Sequence, residues 1–176
     1  RRQRQMCIRD SINATETVVL DGENSEFSTG VATSLEEGAE GKAGVLTITT
    51  GSLEVKNGAI IDSLTLGKGD AGTVNINATE TVVLDGENSE FATGVNSDAD
   101  PGAEGNAGGV TITTGSLEVK NGAGIAADTL PESTGNGGDI SIDATKVTIT
   151  NSSEINEKGE VILVSYDPTN TRVQQH

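Results

Sequence analysis

Apolar and polar residues alternate along this chain in short runs, and the runs follow a fixed order. Leu46 and Ile48, Leu53 and Val55, then Ile61 form one set; Val74 and Ile76, Val82 and Leu84, then Phe91 form the next. Val110, Ile112, Leu117, Val119 and Ile125 repeat the order, as do Ile140, Ile142, Val147, Ile149 and Ile155. Alternation with period two, bounded by Gly, Asn and Asp, predicts half-buried strands. No segment carries the helical period. Each set therefore predicts three short strands with the named residues pointing inward.

A small-residue signal precedes the first strand of each set at Gly44, Gly72, Gly108, Gly138 and Gly159, at intervals of 28, 36, 30 and 21 residues. A longer period is laid over this one. INATETVVLDGENSEFSTGV at 12–31 returns as INATETVVLDGENSEFATGV at 76–95, and TITTGSLEVKNGA at 47–59 returns at 111–123, both offset by 64. Positions 12–58 and 76–122 agree at 37 of 47 places. Tandem units of this kind bury their apolar face against one another instead of closing a core of their own. The expectation is an all-β parallel β-helix, a solenoid with three strands per turn and about five to six turns, making a rod about 25 Å long. The 64-residue repeat is then a pair of turns. The longer intervals are read as loop insertions after the third strand, at 32–42, 64–70, 96–106 and 127–136, where Gly, Asp, Glu, Ser and Pro gather. The NG pairs at 57–58 and 121–122 and the DG pairs at 21–22 and 85–86 mark corners that tolerate the left-handed conformation.

Composition narrows the picture. Aromatic residues make up 2% and hydrophobic residues 33% of the chain, which leaves a thin stack of Val, Ile and Leu in place of a conventional core. Nothing resembles a cap over the strand edges at the ends of such a stack, so a piece of a longer array is expected. Residues 1–11 stand outside the pattern, because the 64-residue offset puts Asp10 where Val74 points inward. RRQRQMCIRDS resembles translated sequencing-adapter read-through and is read as a non-native or disordered leader, with a basic arm for nucleic acid or membrane as the alternative. The repeats occupy 12–164, and residues 165–176, which leave the register at Pro168, are read as a tail. Formal net charge is -16; removing four Arg and one Asp with the leader takes it to -19. A body so acidic repels nucleic acid and anionic lipid and attracts divalent cations. Cys7, the single cysteine, lies in the leader, so the body offers neither disulfides nor thiolate metal sites. No transmembrane run is present. Asn13, Asn77 and Asn151 stand in Asn-x-Ser/Thr sequons, which matter only in a glycosylating host.

The succession of AG-x-[VL]-x-I, GSLEVKNGA and a Gly-rich loop before the next AG resembles the C-terminal repeats of filamentous haemagglutinin-type exoproteins, above all those of cyanobacterial two-partner secretion systems. The resemblance covers residues 12 to about 164. It implies a right-handed β-helix of the pectin-lyase-like superfold. It also implies export through an outer-membrane transporter, an extracellular or outer-surface location, and a structural or adhesive role toward a cell-surface, glycan or matrix ligand.

Three other chemistries are weighed against that role. Polysaccharide lyases and hydrolases on pectin-lyase-like folds need Asp clustered with His, Arg or Lys. Beyond the leader there is one histidine, His176, and one arginine, Arg172, so no catalytic residues are assigned and the chain is read as no enzyme. DGENSE at 21–26 and 85–90 offers hard oxygen ligands at a corner, and Asp21, Glu23, Glu26, Asp85, Glu87 and Glu90 are the candidate ligands of a structural calcium. No other cofactor is expected. Thr47 with Thr49, and Thr111 with Thr113, resemble the threonine rows of ice-binding β-helices, but the intervening units present Asn75 with Asn77, and Ser141 with Asp143.

Overall fold

The computed structural model describes residues 9–87 and 91–150, together with the backbone of a short strand at 172–173. The described residues hold strands and turns and no helix. The strands are β1 (Arg9–Asn13), β2 (Thr17–Asp21), β3 (Thr29–Leu35), β4 (Val45–Lys56), β5 (Ala59–Thr65), β6 (Thr73–Asp85), β7 (Gly94–Asn96), β8 (Gly109–Lys120), β9 (Gly124–Ala126), β10 (Ile140–Thr150) and β11 (Arg172–Val173). They form two parallel sheets between which the chain alternates. One runs β1-β4-β6-β8-β10 with β2 also beside β4, and the other runs β3-β5-β7-β9; β11 closes the first sheet in the antiparallel sense. The molecule is a β-solenoid. Coils begin at Arg9, Val45, Thr73 and Gly109, and β10 supplies the first wall of a fifth. Ile155 and the unit expected from Gly159 lie outside the described residues, as does the tail apart from β11.

The three-part coil is present, with its first two strands joined into one long hydrogen-bonded strand from β4 onward. The joint is a bulge. Thr50 and Ser52 pair with Ala78 and Thr81, so one residue, Gly51, faces two, Thr79 and Glu80; Gly115 faces the same two from the other side. A Cβ on Gly51 would lie 2.6 Å from the Glu16 carbonyl oxygen, and one on Gly115 2.7 Å from that of Glu80. The neighbouring threonines use those carbonyls: the Thr50 hydroxyl donates to Glu16 O at 2.9 Å and the Thr114 hydroxyl to Glu80 O at 3.3 Å.

Residues of like kind stack inside. Leu46, Val74, Val110 and Ile140 are in register; so are Ile48, Ile76, Ile112 and Ile142, and Leu53, Val82, Leu117 and Val147. Most of these side chains are fully buried, and each contributes about 1.5–3 kcal/mol relative to exposure. The third wall departs from the expected pattern. Its inward residue is Val95, fully buried beside Ile61, whereas Phe91 is 44% and Phe27 77% exposed.

The extra length of alternate coils also sits elsewhere than expected. Coils measured from Gly44 to Gly72 and from Gly72 to Gly108 differ by eight residues. Eight residues separate Asp85 from Gly94, against three between their ladder partners Lys56 and Ile60, so five of the eight lie in the DGENSEF corner. One more is in the bulge, and only two follow the third strand. The segments read as loop insertions are walls of the solenoid. β3 and β5 run into them, Thr65, Ala99 and Thr129 bridge in parallel, and so do Glu40, Lys68, Glu104 and Thr134. Ala99 and Ala103 are fully buried there.

β1 begins at Arg9, with Asp10 opposite Leu46 and Ile12 opposite Ile48. Asp10 takes the core register yet stays exposed, because no described strand lies beneath coil 1. The ladder thus reaches three residues into the segment read as leader; residues 1–8 lie outside the described residues. At the corners, Asn57 and Asn121 adopt a φ of 52°, as the NG pairs predict. Gly22 of the DG corner serves a different need, since a Cβ there would meet the Asn57 carbonyl oxygen at 2.4 Å.

The glycine signal before each first strand has a packing cause. A Cβ on Gly72 would stand 1.7 Å from Gly44 O, on Gly108 1.5 Å from Gly72 O, and on Gly138 1.4 Å from Gly108 O. Gly108→Ala is expected to cost about 3 kcal/mol or more in urea unfolding, since backbone must part to admit the methyl. Gly102→Ala, at φ +85° with nothing within 4 Å, is expected to cost about 1 kcal/mol of backbone strain. Equal losses from the two would remove the packing explanation.

Candidate functional site

The DGENSE corner and the KNG corner of the following coil form one polar cluster, built twice. Asp21 ends β2 opposite Lys56 of β4, and Asp85 ends β6 opposite Lys120 of β8. The Asn57 side-chain amide donates to Asp21 Oδ1 at 2.9 Å, the Glu23 backbone N–H donates to the same oxygen at 3.0 Å, and Lys56 Nζ lies 3.4 Å from Oδ2. The second copy matches: Asn121 to Asp85 Oδ1 at 2.8 Å, Glu87 N–H at 3.1 Å, and Lys120 Nζ at 3.5 Å from Oδ2. The bond from Asn57, then that from Glu23, holds the Asp21 carboxyl below its ordinary value. Burial pushes Asp85 upward, but Asn121, Glu87 and Lys120 together bring it below the ordinary value. Lys120 is raised, chiefly by its hydrogen bond to Glu118.

These contacts engage the carboxylate oxygens of Asp21 and Asp85, two of the six candidate calcium ligands. Glu23, Glu26 and Glu87 are exposed on the corner, and Glu90 lies outside the described residues. Among the described residues no three His, Cys, Asp or Glu side chains converge as metal ligands. Local repetition of Asp, Asn and Glu carried no hint of the arrangement, because the side-chain partners of Asp21, Lys56 and Asn57, lie 35 and 36 residues along the chain.

The corner that contains Asp21 continues into a protruding segment. The Ser25 N–H donates to Gly22 O at 3.0 Å, Asn24 takes a φ of 59°, and the Ser25 hydroxyl donates to Phe27 O at 2.7 Å. This turn carries Phe27 outward, and Phe91 stands at the same place two coils on. The chain's two phenylalanines are thus both on the solvent side of its repeat.

The outward face of the first wall bears two straight columns: Ser11, Thr47, Asn75, Thr111 and Ser141, and Asn13, Thr49, Asn77, Thr113 and Asp143. Asparagine therefore separates the threonines of alternate coils. On another wall Lys42 lies 2.6 Å from Asp70, whose Oδ1 also accepts the N–H and the side-chain amide of Asn106 at 3.1 and 2.9 Å, while Lys68 lies 2.9 Å from Glu104.

One acidic group was invisible in the sequence pattern. Asp62 occupies an outward position of β5, between Ala32 and Asn96, yet its Oδ1 is buried and finds no hydrogen-bond partner among the described residues. Burial first, then the charges of Asp98 and Asp100, push its carboxyl up to about 7, against a bond from the Ser63 N–H. Burial also raises Asp100.

No family model, curated protein or solved structure matches this chain.

Two expectations follow from this geometry. Asp85→Asn should lower stability by about 1 kcal/mol through the loss of the charged bonds to Lys120 and Glu87. The loss should be the same in calcium and in chelator when urea unfolding is compared; a loss seen only with calcium would assign Asp85 the ligand role. Asp62 gives a pH dependence of the opposite sign to most carboxylates. Between its ordinary pKa of 3.8 and about 7 the folded chain keeps a proton that the unfolded chain has released. Stability from this group therefore falls as pH rises through that window and is level above it. Asp62→Asn should melt higher than the parent at pH 8 and close to it at pH 4. Identical curves would mean that the carboxyl is not strained.

Proposed function

We propose that this chain is a shaft segment of a secreted bacterial surface adhesin of the filamentous haemagglutinin type, with a structural and adhesive role and no catalysis. The observation that carries the reading is the combination of a stiff stack with a repeated outward feature. Like residues stack on like through continuous parallel ladders, which suits a shaft. The DGENSEF corner projects an exposed phenylalanine from every second coil, Phe27 and then Phe91, about 10 Å apart by the strand spacing. A regularly spaced aromatic on a rigid support suits multivalent contact, in which weak sites gain by acting together. Its ligand on this reading is a cell-surface, glycan or matrix component outside the cell, reached after export through an outer-membrane transporter. The acidic surface weighs against nucleic acid and anionic lipid as partners. Among the described residues no helix is long and apolar enough to cross a membrane.

The experiment is retention of whole bacterial cells and extracted matrix polysaccharide by beads coated with the chain. The parent should retain one or both. The double variant Phe27→Ser, Phe91→Ser should lose about tenfold or more of that retention with little change in melting temperature. Retention no greater than that of blocked beads would sink the adhesive role.

A further inference from the structure

The coils fall into two kinds. Coils 1 and 3 carry the DGENSE corner and the two-residue side of the bulge; coils 2 and 4 carry the KNG corner and the glycine side. Each kind meets the other through two different faces, because the chain progresses in one direction. The upper face of a DGENSE coil presents Asp21 or Asp85 to the Lys and Asn of the coil that follows. Its lower face is seen where coil 3 rests on coil 2. There the Gly58 N–H donates to the Thr93 hydroxyl at 2.7 Å, and the Thr81 hydroxyl donates to Ser52 Oγ at 3.1 Å. The Ser52 hydroxyl lies 3.2 Å from Glu80 Oε2, and Glu104 holds Lys68. Ile76, Val82, Leu84 and Val95 are fully buried by this contact and the one above.

Coil 1 carries the same lower face, shifted by 64 residues. Thr29 stands for Thr93, Thr17 for Thr81, Glu16 for Glu80 and Glu40 for Glu104. Its apolar residues Ile12, Val18, Leu20 and Val31 pack on the core from one side only and are half-buried. β1, β2 and β3 each pair with one strand, so that among the described residues their other edges are unpaired. We infer that the lower edge of coil 1 is a docking surface for a KNG-type rung, a segment with the pattern of residues 45–72 added in parallel.

The side chains discriminate against the other occupants. A DGENSE-type rung would lay an aspartate beside Asp21 and a second protruding corner directly beneath the first. It would also oppose bulge to bulge without the glycine that elsewhere leaves room for the Glu16 carbonyl. A second copy docked edge to edge would run antiparallel across a twofold axis, so Thr29, Glu16 and Glu40 would lose the parallel register that supplies their partners. Only the KNG rung supplies a glycine N–H for Thr29, a serine hydroxyl for Glu16 and a lysine for Glu40.

The test titrates a labelled peptide of residues 45–72 into the full chain, with a peptide of residues 73–100 as the DGENSE control. The first should bind and slow amide exchange in β1 and β3, leaving β8 unchanged. Thr29→Val in the full chain should weaken it about fivefold by removing the acceptor for the glycine N–H. No binding by about 1 mM, or equal binding of both peptides, overturns the inference. A second measurement is independent of peptide solubility. A full chain extended by a copy of 45–72 ahead of Arg9 should melt above the parent, and one extended by a copy of 73–108 should not. Equal melting of the two extended chains overturns it too.

Discussion

Backbone touching backbone along one edge of each coil is the contact on which the rest of this fold depends. Where the chain leaves the third wall and enters the first, Gly44, Gly72, Gly108 and Gly138 lie one above another so closely that any side chain would overlap the carbonyl below. A second file at Gly41, Gly69, Gly105 and Gly135 does the same on the adjoining wall. These files set the coils at strand spacing all the way round, so the ladders of both sheets close together and the inward Val, Ile and Leu meet their counterparts above and below. The turn is polar backbone brought indoors, and it must be satisfied there. Thr33, Ser63 and Ser97, all buried, do this: the Thr33 hydroxyl donates to Ser63, the Gly72 N–H donates to Ser63 Oγ, and the Ser97 hydroxyl donates to Gly72 O. Small hydroxyl residues where an alternating pattern would allow apolar ones are thus part of the same device. So is the near absence of aromatic residues, since a cross-section this narrow holds aliphatic side chains in file and sends Phe27 and Phe91 outside.

That division explains what was legible beforehand. Strand positions and inward residues of the first wall follow from period-two alternation and the glycine signal, both local, and they stand as expected from Leu46 to Ile142. Phe91 was placed inside because it is the apolar residue at about the right distance from Leu84. Val95 has the position instead, and choosing between them requires knowing that five extra residues belong to the corner. The corner itself has no internal period to betray it. Asp21 and Asp85 read as free oxygen donors because their partners come from the next coil, and the register that pairs them with Lys56 and Lys120 is a property of the stack. Asp62 is the sharpest case. It occupies an outward slot in an ordinary alternating strand, and the charges that meet it there, Asp98 and Asp100, lie more than thirty residues further on. Local sequence determines which way a residue points, and only stacking determines what lies beside it.

Stacking also accounts for the period of 64. A solenoid of identical coils would set each charged residue directly above its copy at about 4.8 Å, where two like charges repel by roughly 1 kcal/mol in water and several times that near a protein surface. Two kinds of coil remove the conflict. The column through the corner runs Asp21, Lys56, Asp85, Lys120, and another runs Glu40, Lys68, Glu104. A third pairs Lys42 with Asp70 and then turns neutral through Asn106 and Asn136. Exposed pairs of this sort add little stability each. Their effect is on register, because a slip by one coil would replace every attraction in the column by a repulsion. Apolar columns are blind to such a slip, since Ile48, Ile76 and Ile112 are interchangeable. Alternating charge is therefore what distinguishes a coil's correct neighbour from the coil beyond it, and the Asp62 cluster, where no lysine was interleaved, marks what the stack costs where alternation fails.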